Sequence, residues 1–178
     1  MIATISLRAP RLDEGAAMWE LARDSERLDL NAPYAYMMWA RDFHSTTMVA
    51  DVDDDIVGFI TGYWRPDSPT TLMVWQVAVD ERHRGRGIAG RMLDALAERT
   101  GAAAVETTIT RANEASVRLF SSFAERRGAE HEVTSLFGVE HFPGDDGWEP
   151  ELLHRIAPLR TEPREDTDAL NAMEAAVR

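Results

Sequence analysis

Residues 71–92 read TLMVWQVAVDERHRGRGIAGRM, and this stretch limits the possible folds of the chain more than any other. A nine-residue apolar run at 71–79 has the length of a buried strand. It runs into a basic, glycine-rich turn and then into Ile88, Met92, Leu93 and Leu96, an apolar stripe at helical spacing. A strand that delivers such a loop to a helix N-terminus makes an anion site, because the first helical turn leaves N–H groups unpaired and carries partial positive charge. Gly85 and Gly87 have no Cβ to keep a ligand from the backbone, and Arg82, Arg84, Arg86 and Arg91 surround them with donors. Phosphate is the expected guest; the plainer reading is a strand-to-helix turn with solvated arginines. The stretch has neither the Gly-Lys-Ser/Thr of a P-loop nor the third glycine of a dinucleotide fingerprint.

Around this unit, periodicity predicts a strand over 2–8 and a helix capped by Asp13 that carries Met18, Trp19 and Leu21. A short second helix follows, with Asn31 as cap, Pro33 in the first turn, and Tyr34, Met37, Met38 and Phe43 along it. Residues 45–50 and 56–64 read as hairpin strands about a polar turn at 51–55, and a Pro/Ser loop at 66–69 leads into the central strand. Gly101 ends the third helix, 104–110 is a strand, and Asn113 caps a helix with Val117, Phe120 and Ala124 on one stripe and Leu119 and Phe123 beside it. Two closing strands at 131–139 and 151–156 flank a Gly/Pro/Asp-rich loop at 143–150. The acidic residues 161–178 are expected to be loosely held, leaving 1–160 as one domain. The order is β-α-α-β-β-β-α-β-α-β-β, which implies an α+β sheet with helices on both faces.

Composition narrows the function. With 19 basic and 31 acidic side chains the net charge is −12, which opposes nucleic acid and anionic membranes as partners and favours a cationic substrate. No run approaches the length that spans a bilayer, and the first ten residues lack a signal-peptide core, so a cytoplasmic protein is expected. Zero cysteines exclude disulfides, thiolate metal sites and a cysteine nucleophile.

The spacing Arg82-x-x-Gly85-x-Gly87, between strand and helix, resembles the acetyl-coenzyme A signature of the GNAT N-acetyltransferases, and the element order is that of the same family. The resemblance implies the three-layer α/β/α GNAT fold on a mixed, mostly antiparallel sheet, with acetyl-CoA as co-substrate and no metal. It places the coenzyme on the main chain of Gln76, Val77, Ala78 and Val79, on the loop Arg82, Arg84, Gly85, Arg86, Gly87, Ile88 and Ala89, and on Asn113 and Ser116.

Three segments, LDLNAPYAYMMWARDF at 28–43, VWQVAVDERHRGRGIAGRML at 74–93 and ETTITRANEASVRLFSSFA at 106–124, resemble a narrower group, the L-2,4-diaminobutyrate acetyltransferases of ectoine biosynthesis. EPELLHRIAPL at 149–159 resembles that group's C-terminal strand. The implied reaction is acetyl transfer to the 4-amino nitrogen of this amino acid, by a homodimer, with Asp29, Asn31, Tyr34, Trp75 and Thr110 at the substrate and Asp29 and Trp75 nearest the chemistry. The alternatives are an acetyltransferase for another small amine, such as a polyamine or amino sugar, and a coenzyme-binding module without turnover.

The chemistry raises its own demand. An amine attacks a thioester only as the free base, and a simple amine with a pKa near ~10 is about 4 kcal/mol from that form at pH 7. Many members of the superfamily use a carboxylate on the central strand, yet 71–79 holds no Asp, Glu or His. The base must then come from another element or through water, with Asp29, Glu106, His141 and His154 as candidates. Asp29 is favoured as the partner of a substrate ammonium, against the plainer reading of a helix cap. Where the superfamily usually has a Tyr to protonate the thiolate, this chain has Phe120, read as core. Trp75 is either a cation–π wall or core. Trp148 stands where the narrower group often has His, and His141 reads either as its replacement or as a solvated loop residue. Arg41 is a conceivable partner for a substrate carboxylate, more simply a solvated helix arginine.

Overall fold

A computed structural model describes residues 5–144 and 147–159; the expectation of a loose tail at 161–178 lies outside them. The first strand, β1 (Ser6–Arg8), leads through a 3-10 turn at Leu12–Glu14 into α1 (Gly15–Ser25) and then α2 (Pro33–Asp42). The strands β2 (Met48–Val52), β3 (Asp55–Arg65) and β4 (Ser68–Val79) follow, then α3 (Ile88–Thr100), β5 (Ala104–Thr110), α4 (Glu114–Arg127), β6 (Glu130–Phe137) and β7 (Glu151–Ala157). The element order is the one the periodicity predicts. One seven-stranded sheet runs β1-β2-β3-β4-β5-β7-β6, with every pair antiparallel except β4 and β5.

The two faces of the sheet bury two separate cores. Against one face, α3 and α4 pack Ile88, Met92, Leu93, Leu96, Phe120 and Phe123 onto Leu72, Val74, Val105, Ile109 and Ile156. Against the other, α1 and α2 pack Met18, Leu21, Tyr36 and Trp39 onto Val49, Phe59 and Ala78. Strand alternation explains the division, since neighbouring residues of a strand face opposite sides. The two first helices cross closely: a Cβ on Gly15 would stand 2.7 Å from the Met37 Cα, so only glycine fits there.

Several local expectations are corrected. Asp13 lies in the 3-10 turn with its carboxylate exposed, and Glu14 is the N-cap of α1. Asn31 does not cap α2 either: Ala32 occupies that position, and the Asn31 amide turns back to the Asp29 carbonyl at 3.3 Å. Pro33 does open the helix, where its missing N–H costs nothing. The buried stripe of α2 is Tyr36, Trp39 and Ala40, packed toward the sheet, while Tyr34, Met37 and the C-cap Phe43 are exposed. The first hairpin strand begins later than expected, after a 3-10 turn at 44–46, and takes in Asp51 from the expected turn, while the second extends one residue beyond its expected span at each end. The 66–69 loop shrinks to a tight turn at Pro66 and Asp67. Val139 leaves β6 for a 3-10 turn at Val139–His141.

Candidate active site

Strands β4 and β5 pair only through Thr71↔Ala104, Leu72↔Val105 and Met73↔Glu106, and both then continue unpaired with one another, to Val79 and Thr110. A V-shaped gap opens in the middle of the sheet. A bulge on β4 sets its shape: Thr61 faces Gln76 while Gly62 faces Val74, so Trp75 is the extra residue without a partner on β3. The Thr61 hydroxyl accepts the Gln76 N–H at 3.1 Å, fixing the irregularity. Since main-chain groups alternate along a strand, this bond turns those of Val77 and Val79 toward the gap. The Val79 carbonyl accepts from the Arg84 side chain at 3.1 Å.

At the end of β4 the glycine-rich loop is held by backbone conformation. Gly85 and Gly87 have φ of 76° and 69°, the left-handed region that disfavours any Cβ, and Gly87 is the N-cap of α3. A Cβ at either would meet no protein atom within 4 Å, so the space beside these glycines is open to a ligand. That space belongs to a cleft of about 640 Å³ walled by Arg84, Gly85, Gly87, Ala89, Arg118 and Arg126. It adjoins a narrower slot of about 210 Å³ between Val77 to Val79 and Asn113, Ser116 and Leu119. Asn113 caps α4 by accepting the Ser116 N–H at 3.1 Å. The Arg82 guanidinium is taken by Asp80, at 2.8 Å, and so braces the loop from outside. An elongated phosphate ester with a peptide-like arm, such as a coenzyme A thioester, fits this arrangement of basic mouth and strand-lined slot.

On the face carrying α1 and α2 the residues that meet the gap are acidic and aromatic. Gln76 is buried; its amide donates to the Asp29 carbonyl at 2.9 Å and its oxygen accepts from the Tyr36 hydroxyl at 3.0 Å. This pair of bonds ties the 26–32 connection to β4 and leaves the Asp29 carboxylate exposed. The Trp75 ring is 44% exposed and lies 5.3 Å from Trp39, which is itself 4.6 Å from Phe43. Tyr34 is exposed farther out, and Asn31 is held through its carbonyl by the Trp19 indole at 3.1 Å.

Within electrostatic reach of Asp29 stands Glu151, a residue that the sequence reading did not single out. It opens β7 beside Thr110. Burial pushes its carboxyl above the ordinary range, and the nearby charges of Asp29 and Glu149 push in the same direction, against a hydrogen bond from Thr108. An acid at the mouth of a strand gap, uncomfortable as an anion, is suited to take up a proton. The signal was available in principle, since Glu149 and Glu151 flank Pro150 at the start of a strand. Only the sheet order reveals that this strand lies next to β5 and faces Asp29.

The other candidate bases are elsewhere. Glu106 is buried and bound by Arg65 at 2.7 Å and Arg155 at 3.1 Å, so its oxygens are already engaged. His154 lies on the α4 face, 2.9 Å from His131, and burial pushes both imidazoles down. His141 contacts Gly138 within its own turn, and Trp148 stacks on Phe142 at 5.2 Å to shape the loop before β7. Phe120 is 1% exposed, in the core. Arg41 pairs with Asp42 at 2.7 Å on the surface. Among the described residues no group of three or more His, Asp or Glu is placed to hold a metal ion, and no helix is long and apolar enough to cross a membrane.

Comparison with known proteins agrees with this geometry. Residues 15–124 match the model of the acetyltransferase (GNAT) family. The chain is 54% identical over 162 residues, 88% of its length and 95% of the relative's, to the L-2,4-diaminobutyric acid acetyltransferase of Streptomyces coelicolor. It is 43% identical over 161 residues, 89% and 92% of the two lengths, to that of Marinococcus halophilus. Among solved structures it resembles the diaminobutyrate acetyltransferase EctA of Paenibacillus lautus, in complex with L-2,4-diaminobutyric acid and coenzyme A. The TM-score is 0.84 and the identity 41%, over 90% of this chain and 98% of that one.

Proposed function

The chain belongs to the acetyltransferase (GNAT) family, and from that premise we propose that it transfers acetyl from acetyl-CoA to the 4-amino nitrogen of L-2,4-diaminobutyrate, a step of ectoine biosynthesis. The observation that carries the acceptor class is the acidic pair Asp29 and Glu151, one held to β4 beside the bulge and the other opening β7, near enough for the charge of the first to raise the carboxyl of the second. A substrate with two ammonium groups matches two carboxylates, and the net charge of −12 attracts it.

Acetyl-CoA supplies the activated acyl group; the protein supplies position and proton handling. The Gly85–Gly87 loop and the N-terminus of α3 hold the pyrophosphate, and the main chain of Val77 and Val79 accompanies the arm like an added strand. Asp29 pairs with the α-ammonium, and Trp75 lies along the aliphatic chain. Glu151 accepts the proton of the terminal ammonium. Its raised pKa narrows the gap to the amine, so that proton transfer costs less than it would to an ordinary carboxylate. The base missing from the central strand thus comes from β7. Phe120 offers no proton, so the thiolate, with an ordinary pKa near ~8.5, departs as the anion, and the second proton, lost from the attacking nitrogen once the C–N bond has formed, reaches it through solvent. The test is thiol release from acetyl-CoA with diaminobutyrate as acceptor, and NMR of the product. Acetyl on the α-nitrogen, or equal turnover with a simple diamine, would overturn the assignment.

We further propose that the enzyme works in the cytoplasm as a homodimer. Support comes from the outermost strand β6 and the turn after it, where Val133, Leu136, Phe137 and Val139 are exposed on an open sheet edge that a second copy would cover. Sedimentation equilibrium measures the mass, and a monomer at enzyme-assay concentration rejects this.

A further inference from the structure

Selecting an amino acid over a diamine requires something to recognise the carboxylate, and the acidic pair repels it. We propose that Arg65 and Arg155, braced by Glu106, form the subsite for the carboxylate of the acceptor. The inference rests on the acceptor assignment above. Three strands contribute one residue each: Arg65 from the end of β3, Glu106 from β5 and Arg155 from β7. Each guanidinium gives one nitrogen to a different oxygen of Glu106, at 2.7 and 3.1 Å.

Two cations on one carboxylate leave a net positive charge, and it is not hidden: Arg65 and Arg155 keep 34% and 42% of their side chains exposed, while Glu106 keeps 8%. Neither has another acidic partner among the described residues. The donors left over on each planar fork suit a carboxylate oxygen.

The place also fits. Glu106 faces Met73 in the last β4–β5 pair, so the cluster lies at the point where the gap opens. Strand alternation puts Glu106, Thr108 and Thr110 on one face of β5, and Arg155, Leu153 and Glu151 opposite them on β7. Four residues of strand separate Glu151 from Arg155 by about 13 Å at a rise of ~3.3 Å each. Diaminobutyrate measures about 5 Å from carboxylate to terminal nitrogen at ~1.5 Å per bond. With charge-assisted contacts of ~2.8 Å at both ends, it bridges the acidic and basic ends of this floor.

The experiment compares diaminobutyrate with 1,3-diaminopropane, the same chain without the carboxylate, in the full-length enzyme and in Arg65→Gln and Arg155→Gln. Either substitution leaves Glu106 one arginine, so the buried charge stays paired. The expected result is a KM for diaminobutyrate raised at least tenfold with kcat little changed, while kcat/KM for 1,3-diaminopropane moves less than threefold. Should a glutamine variant not fold, Arg65→Lys, which keeps the charge and loses the fork, is expected to narrow the preference between the two acceptors at least threefold. Wild type inactive on diaminobutyrate would sink the acceptor assignment and this subsite together. Wild type active on it, with variants that lose both acceptors equally or lose neither, would sink the subsite alone.

Discussion

At the scale of single residues, the proposed chemistry depends on one carboxyl placed where its charge is disfavoured. Glu151 is half-buried and next to Asp29, so its charge is disfavoured by burial and by repulsion alike. If it is the base, Glu151→Gln should lower kcat by about 100-fold or more, in the range that general bases contribute. Thermal stability should hold or rise slightly, because a carboxyl whose folded pKa is raised disfavours the folded state once it ionises. A matched pair of melting curves and turnover numbers checks both halves. The sign of the coupling gives a second expectation. The Asp29 charge raises the Glu151 pKa, so Asp29→Asn should let Glu151 ionise at lower pH and move the acid limb of kcat/KM downward, while KM for diaminobutyrate rises. A pH–rate profile whose acid limb stays put would mean that Glu151 does not titrate in this step.

At the scale of elements, the strand–loop–helix unit and the bulge divide the work between two sides of the sheet. The loop answers for the coenzyme: Gly87 has a φ of 69° at the helix N-cap, and the space beside it is empty of protein. Gly87→Val puts a branched side chain into that space at a backbone angle that L residues resist. Calorimetry should find acetyl-CoA bound at least tenfold more weakly, about 1.4 kcal/mol, in a protein that still folds. In the proposed reaction the bulge serves the acceptor, because it leaves Trp75 beside Trp39 at the open face and aims Gln76 at the Asp29 carbonyl. The Gln76 side chain ties the 26–32 connection to β4, while the main chain of its neighbours turns to the gap.

For the molecule as a whole, the start of the chain is fastened by charges under the acceptor side. Glu14, whose side chain is 6% exposed, accepts both Arg8 nitrogens at 2.7 and 2.8 Å and the Arg11 N–H at 2.6 Å; Arg8 also reaches Asp51 at 2.6 Å. Burial opposes the Glu14 charge, but these bonds prevail and hold its pKa below the ordinary 4.5. That stability is present above the ordinary value and is lost as pH falls through the folded one. Glu14→Gln should cost about 2 kcal/mol or more near pH 7, and the difference from wild type should shrink below about pH 4, as urea unfolding at several pH values would record. Much of this architecture was written in local sequence. The order of elements, the exact span of β5, the Asn113 cap and the left-handed glycines follow from periodicity and backbone sterics, which act over a few residues. Asp13 and Asn31 are not the caps that local sequence suggests, because long-range partners such as Arg8 and Gln76 decide how the segments around them are held. Asp29 and Glu106 stood out in the sequence as candidate bases, but the charges each of them meets did not. Glu151, Asp29, Arg65, Glu106 and Arg155 are spread over more than 120 residues, and only the order of strands in the sheet, a product of tertiary pairing, brings their charges to one face.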